Sequence, residues 1–164
     1  MREEFYVTIE KEGGGTVEGD VDQKDREGTI LGYAFEHGIE IAGQGAMAPA
    51  HSVSSGSPAH RPVVFVKHVD KSSPLLFQAM CNRERFPKVT FDFWHRNANG
   101  DLEVVYSVVL ENARIRGLES RLSDASGSPG SGGKLREVVS LAYEAIEWEH
   151  KTEQISARAD RIVD

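Results

Sequence analysis

The chain is poor in cysteine, in basic charge and in long apolar runs. Cys81 is the single cysteine among 164 residues, which excludes an internal disulfide and a cysteine-rich metal site. The formal net charge of −7 argues against a nucleic-acid partner, because phosphate contacts need clustered lysine and arginine. No apolar run approaches a membrane span, and the first residues have no apolar signal-peptide core. These absences predict a protein that is made in the cytoplasm and does not insert into a membrane.

Alternation of apolar and polar residues predicts β-strands along most of the chain. Residues 5–9 and 88–95 alternate clearly, and residues 102–116 carry apolar side chains on both faces, as a central strand does. Asn99-Gly100 predicts a tight hairpin turn, since both residue types tolerate positive φ. The large apolar residues of 138–148 change parity near Glu144-Ala145, which predicts a bulge there.

A strand from Val63 to Val66 is followed within a few residues by the single strong helix signal, from about Pro74 to Asn82. Proline is tolerated at the first helical position, and Ser73 is predicted to cap the first turn. The helix is predicted to bury one apolar stripe and to hold Cys81 as a buried bystander. The stripe consists of Leu75, Leu76, Ala79 and Met80.

Two long segments are predicted to be loops, and the chain is predicted to form one domain over residues 1–150. Residues 43–62 are rich in glycine, serine, proline and small residues, and loops of that length tend to be functional or disordered. Residues 123–133 form a second such segment, which is interpreted as an interaction arm. Residues 151–164 form a C-terminal tail whose Ile155, Ala159 and Ile162 have helical spacing, so it is predicted to be a short helix or a frayed, disordered end.

Several local patterns resemble catalytic or cofactor motifs without meeting their structural conditions. Gly43 to Ala48 has the spacing of a dinucleotide loop, but Pro49 and a serine-rich stretch follow where a helix is required. Residues 128–135 lack the first glycine and the Ser or Thr of a phosphate-binding loop. The six histidines form no close metal-binding pair. We therefore predict no enzyme activity, no catalytic residue, no metal and no cofactor.

Four stretches together resemble the haemolysin-coregulated proteins (Hcp), the tube proteins of bacterial type VI secretion systems. The most specific is Phe65 to Leu75, which is similar to the strand, Asp-Lys-Ala-Ser-Pro and helix junction of that family, with Ser72 in place of the alanine. The other three are similar to the opening strands, the long central strand and the closing strand of the family. They are residues 17–20 with 28–31, residues 108–113, and residues 137–148.

The resemblance implies a mainly β fold: a compact β-barrel of two packed sheets with one α-helix on its side, as in phage tail tubes. It also implies hexameric rings that stack into a hollow tube and carry small effector proteins in the lumen. The implied partners are further copies of the chain, a spike protein, a contractile sheath and the effectors. The protein would leave the cell, without a cleaved signal, for the extracellular space or a target cell.

The resemblance assigns two groups of residues. The junction motif is structural and contains Lys67, His68, Asp70, Lys71, Ser73 and Pro74. The predicted ring-stacking loop contains Met47, Pro49, His51, His60 and Arg61.

Two other functions remain open from the residues alone. The first is a monomeric β-barrel that binds a small ligand, for which the expected feature is a large apolar cavity inside a closed barrel. The second is a hydrolase that uses scattered carboxylates, which would lose its activity on a single Asp or Glu substitution. Long strands with unpaired edges favour an assembly subunit instead, because such edges need a cover.

Overall fold

The computed structural model describes residues 3–41, 58–122 and 133–160, and these ranges contain ten strands and one helix. The prediction of a mainly β chain with a single helix is confirmed for these ranges. The elements are β1 (Glu4–Glu10), β2 (Ile30–Glu36), β3 (Ile39–Ile41), β4 (Pro58–His60), β5 (Val63–His68), α1 (Ser73–Cys81), β6 (Phe86–Arg96), β7 (Leu102–Arg121), β8 (Arg136–Ala142), β9 (Ala145–His150) and β10 (Ile155–Asp160).

Six strands close into a barrel in the order β1-β2-β5-β8-β7-β6, with β6 pairing back onto β1. All of these pairs are antiparallel. β9 and β10 extend the sheet outward from β7, and β3 and β4 form a separate hairpin. The strands therefore complete one another within a single chain, and the expectation of many uncovered edges is wrong for the barrel. β10 is an exception, because no described strand pairs with its outer edge.

The long strand β7 links the two sheets of the barrel. Residues 102–113 pair with β6, whereas residues 114–121 pair with β8. Asn112 lies between these parts with φ +49°, and its side-chain amide donates a 2.9 Å hydrogen bond to Glu144 Oε2. The facing chain is interrupted at the same level, between β8 and β9, where the sequence predicts a change of parity. β7 and the facing chain therefore bend at the same level, which keeps Leu141, Tyr143 and Ile146 buried.

Phenylalanine rings fill the barrel. Phe65 packs edge-on against Phe91 with 5.4 Å between ring centroids, and Phe35 packs against Phe91 at 5.1 Å. Phe5 lies 5.4 Å from Phe93 in the same cluster. Because Phe65 and Phe91 are fully buried among aliphatic side chains, the interior is packed with the protein's own atoms. These rings occupy space in which a ligand-binding barrel would hold an apolar cavity.

Gly32 lies in β2 opposite Phe5 of β1. A Cβ atom at Gly32 would lie 2.0 Å from the Phe5 ring, far inside van der Waals contact. The register of β2 against β5 also shifts between Gly32 and Ala34. Gly32 therefore marks both a bulge and a close approach between strands, as glycines in strands often do.

The helix is close to its predicted position, but two local predictions about it are wrong and a third is only partly right. Ser73 does not cap the helix: it is the first helical residue, and Ser72 precedes the helix as an N-cap without a side-chain capping bond. Cys81 is exposed rather than buried. Of the predicted stripe, Leu76 and Ala79 are buried, while Leu75 is 46% exposed. Burial of the Ser73 hydroxyl against charged groups explains its different role, as described below.

The C-terminal tail is a strand where a helix or a frayed end was predicted. β10 pairs antiparallel with β9 over six residues, from Ile155 opposite His150 to Asp160 opposite Ala145. A turn of residues 151–154, with Gln154 at φ +52°, brings the chain back along β9. The ladder hydrogen bonds and the contact of Ala159 with the core outweigh the weak helical spacing.

The predicted loop of residues 43–62 is structured at its C-terminal end. Pro58–His60 forms β4 and pairs with β3, with Ile39 opposite His60. The arm predicted at residues 123–133 lies, except for its last residue, outside the described residues.

Candidate functional site

The junction motif is organised around a buried lysine. Lys67 of β5 is fully buried and lies directly opposite Glu137 of β8. Its ammonium Nζ is 2.6 Å from Glu137 Oε2 and 2.9 Å from Asp70 Oδ1, and it donates a 2.9 Å hydrogen bond to Ser73 Oγ. Three oxygens therefore surround the ammonium group, one for each of its hydrogens.

The serines complete this cluster at the start of α1. The Ser73 hydroxyl donates to Glu137 Oε2 at 2.8 Å and accepts a 3.0 Å bond from the backbone N–H of Asp70. Asp70 Oδ1 accepts from the backbone N–H of Ser72 at 3.0 Å, and also from the Ser72 hydroxyl. Pro74 follows in the first turn, where its missing N–H costs nothing. The motif residues are thus the means by which strand, turn and helix are held together.

The cluster has the properties of a structural site. Its two carboxylates and its lysine neutralise and hydrogen-bond one another, as buried charges must. Among the described residues, no histidine contacts either serine hydroxyl, and all three hydrogens of the Lys67 ammonium group have oxygen partners. The arrangement fixes the junction of β5, β8 and α1, and we assign it no chemical step.

A second polar cluster lies at the base of the long loop. The Tyr143 hydroxyl is 2.6 Å from His37 Nε2 and 2.9 Å from His60 Nδ1. His37 lies between β2 and β3, His60 ends β4, and Tyr143 follows β8. The three side chains therefore tie the β3–β4 hairpin to the barrel wall. Burial, and secondarily the neighbouring His60, lower the pKa of His37 below its usual value, so His37 is neutral at pH 7.

Arg61 forms an exposed ion pair with the same hairpin. Its guanidinium donates two hydrogen bonds to Glu40 of β3, from Nε at 3.1 Å and from a terminal nitrogen at 3.0 Å. These bonds hold the pKa of the Glu40 carboxyl below its usual value. Both side chains are 59% exposed, so the pair orients the hairpin more than it stabilises the fold.

An open groove lies beside the junction, lined in part by Tyr33 and His68. The two rings pack edge to face with 4.0 Å between centroids. His68 Nδ1 is buried and has no hydrogen-bond partner among the residues that the structure describes. Burial first, and then the nearby cations Lys134, Arg136 and Lys67, lower the pKa of His68, so its imidazole is neutral at pH 7.

The predicted residues thus fall into separate places. Lys67, Asp70 and Ser73 meet in the buried cluster, while His68 faces the groove. His60 and Arg61 lie at the hairpin base. Lys71 is exposed, and its backbone N–H donates to Asp20 Oδ1. Met47, Pro49 and His51 of the predicted stacking loop lie outside the described residues.

Sequence reasoning missed Glu137, His37 and Tyr143 as members of these clusters. Glu137 had a signal, because it shares the parity of the buried Val139 and Leu141 in the same strand. His37 and Tyr143 had none, since 106 residues separate them. Within residues 3–41, 58–122 and 133–160, no three His, Cys, Asp or Glu side chains are grouped so as to hold a metal ion. Among the same residues, no helix has the length and apolarity needed to cross a membrane.

The chain forms a small closed barrel with two polar clusters. The Lys67 cluster fixes the flanking helix α1, and the Tyr143 cluster fixes the β3–β4 hairpin. Residues 6–150 match the family model described as "Type VI secretion system effector, Hcp". The chain belongs to the Hcp family, whose members are structural and exported proteins of type VI secretion. A curated relative, the "Major exported protein" of Pseudomonas aeruginosa, is 29% identical over 142 residues, which are 87% of this chain and 80% of the relative.

Solved structures of the family share the fold. The Hcp1 protein of the E. coli EAEC 042 pathovar is 26% identical, with a TM-score of 0.82 over 95% of this chain and 97% of that one. The secreted protein Hcp3 of Pseudomonas aeruginosa is 25% identical, with a TM-score of 0.74 over 97% and 98%. The two-sheet barrel with a helix on its side, predicted from the resemblance, is therefore confirmed.

Proposed function

We propose that the protein is the structural subunit of the inner tube of a type VI secretion system. Six copies form a ring, rings stack into a hollow tube, and small effector proteins travel in the lumen. A contractile sheath and a spike protein are the remaining partners, and the tube delivers its contents, and itself, outside the cell. The match of the Hcp model to residues 6–150 is the observation that carries this proposal.

The packing of the chain supports a role in assembly. The barrel interior is filled by its own side chains, so ligand binding inside it is not favoured. Several large apolar side chains remain exposed, and their cover would come from neighbouring copies. They include Tyr33, Val69, Leu75 and Ile155, the last of which is 65% exposed on β10.

The β3–β4 hairpin supports the proposal that the loop between its strands contacts the next ring. The hairpin is clamped by Tyr143 through His37 and His60, and Arg61 is held by Glu40. A clamped base fixes the positions of Ile41 and Pro58, the two described residues that flank this segment of the chain. We propose that Met47, Pro49 and His51 contribute contacts in the loop itself, while His60 and Arg61 position its base.

Light scattering on the purified chain tests the ring. We expect about 109 kDa, six times the 18.1 kDa chain, and ring-shaped particles in negative stain. A stable monomer at micromolar concentrations would refute the proposal. A deletion confined to residues 44–55 tests the loop, because it leaves β3, β4 and the His60 clamp in place. The deletion should keep the rings and abolish their stacking. Tubes that form equally well without the loop would show that the loop has no role in stacking.

A further inference from the structure

The groove beside the junction has apolar walls and an acidic rim. It has a volume of about 270 Å³ and is lined by Val21, Leu31, Tyr33, Val69, Asp20 and Asp22, among others. Tyr33 is 46% exposed and Val69 48% exposed, so the groove presents apolar surface that this chain leaves uncovered. Asp20 and Asp22 are exposed on its rim. Across the described part of the chain, no lysine or arginine side-chain nitrogen lies within 4 Å of either carboxylate, although the Lys71 backbone N–H donates to Asp20 Oδ1.

A basic pair lies at the other end of the helix. Arg114 donates a 3.3 Å hydrogen bond to the backbone carbonyl of Arg83, so the two residues are neighbours. Both are exposed, and neither guanidinium lies within 4 Å of a carboxylate in the described ranges. Arg85 beside them is already paired with Glu12 at 2.5 Å. The positive charges of Arg83 and Arg114 are therefore not neutralised by any described carboxylate of the same chain.

The helix places these two surfaces at its opposite ends. The groove adjoins the start of α1, because Asp70 lines it and the Lys71 N–H bonds to Asp20. Arg83 follows the end of α1, where its N–H donates to the Met80 carbonyl. A nine-residue helix spans about 13 Å, so one copy cannot bring its own basic pair into its own groove.

We infer that the groove receives the Arg83–Arg114 pair of a second copy of this chain. The inference rests on the proposed tube function and names a contact within it. Contacts between two unlike surfaces join copies head to tail, which is the arrangement needed for closed rings or continuous stacks. The arginine stems cover the apolar walls formed by Tyr33 and Val69, while their guanidinium groups pair with Asp20 and Asp22. The cations flanking His68, Lys134 and Arg136, keep the partner's arginines on the aspartate side.

Charge reversal with rescue by mixing tests this contact. Asp20→Lys with Asp22→Lys makes the groove basic, and Arg83→Glu with Arg114→Glu makes the pair acidic. Each double variant alone should self-associate at least about tenfold more weakly at low salt, because like charges then face each other. Mixed in equal amounts, the two variants should regain assembly, since each groove meets an opposite pair on the other chain. Sedimentation velocity at about 50 mM and 500 mM salt measures both effects, and the wild-type association should weaken at the higher salt.

A control matched to the aspartate variant carries the same change in net charge, +2 at each of two positions, elsewhere on the surface. Glu103→Lys with Glu119→Lys reverses two exposed acidic residues of β7 and should associate as the wild type does. If both double variants and their mixture assemble like the wild type, or if the control is equally impaired, the groove contact is wrong while the tube function stands. If the wild type does not self-associate at all, the proposed function fails, and this inference fails with it. Circular dichroism of each variant alone confirms that loss of assembly is not loss of folding.

Discussion

Removal of the Lys67 ammonium group should be the most damaging single substitution in the junction. Lys67→Met keeps the length and the apolar stem of the side chain but leaves two carboxylates without their cation. Glu137 has a side chain only 2% exposed, and that of Asp70 is 12% exposed. Water therefore cannot solvate either charge fully, and the Ser73 hydroxyl can donate to only one of them.

The size of the effect follows from this burial. Breaking a buried ion pair from one side costs about 3–5 kcal/mol in the free energy of unfolding. For a chain of this size, that loss lowers Tm by about 6–20 °C. Glu137→Gln should cost less, about 1–3 kcal/mol, because Lys67 keeps Asp70 at 2.9 Å and only hydrogen bonds of the former carboxylate are impaired.

Urea unfolding followed by tryptophan fluorescence measures both variants, since Trp148 packs partly against the core. Lys151→Met is the matched control: the Lys151–Glu149 pair has the same 2.6 Å separation but is 40% and 34% exposed. It should cost less than about 1 kcal/mol. The reasoning fails if Lys67→Met is no more harmful than this control, or if Glu137→Gln is the more harmful of the two cluster variants.

Two further predictions concern the barrel and the hairpin base. Gly32→Ala should lower the free energy of unfolding in urea by about 1–3 kcal/mol, because the new Cβ would displace the Phe5 ring. Gly117→Ala is the control and should be close to neutral, because its Cβ would lie 3.7 Å from its nearest neighbour. Equal effects of the two substitutions would contradict the packing argument. Stability should level off about one pH unit above 6.5, the ordinary histidine pKa that the unfolded chain retains, and should fall as the pH drops through 6.5. The reason is that the pKa of His37 is lowered in the folded state, so the unfolded chain binds more protons there. Urea midpoints measured on both sides of this range should show a shallower fall for His37→Asn, and a wild-type profile that rises on acidification would have the wrong sign.

Local patterns predicted several elements correctly because their causes are local. The Asn99-Gly100 hairpin joins β6 to β7 as expected, although only Gly100 has positive φ, at +87°, because the loop is longer than a two-residue turn. Pro74 lies in the first turn of the helix, where the fixed φ of its ring and its missing N–H are tolerated.

The errors share a different cause, which is tertiary context. The tail has helical spacing at Ile155 and Ala159, yet the open edge of β9 offered a complete ladder of hydrogen bonds. Ser73 is a good capping residue by type, but its hydroxyl is taken by Lys67 and Glu137. In each case the interaction with a partner outside the local segment stabilised the chain more than the locally preferred structure would have.

What the sequence by itself determined is the strand-rich, single-helix character of the chain, its acidity and the inward side of the strands that alternate clearly. It even placed a lysine on the buried side of β5 and a glutamate on the buried side of β8, with Lys67 in step with Phe65, and Glu137 in step with Val139. Only the tertiary structure decided that these two charges meet, because the register of β5 against β8 is set by closure of the whole barrel. Seventy residues of chain separate Lys67 from Glu137, and no local preference reaches across that distance.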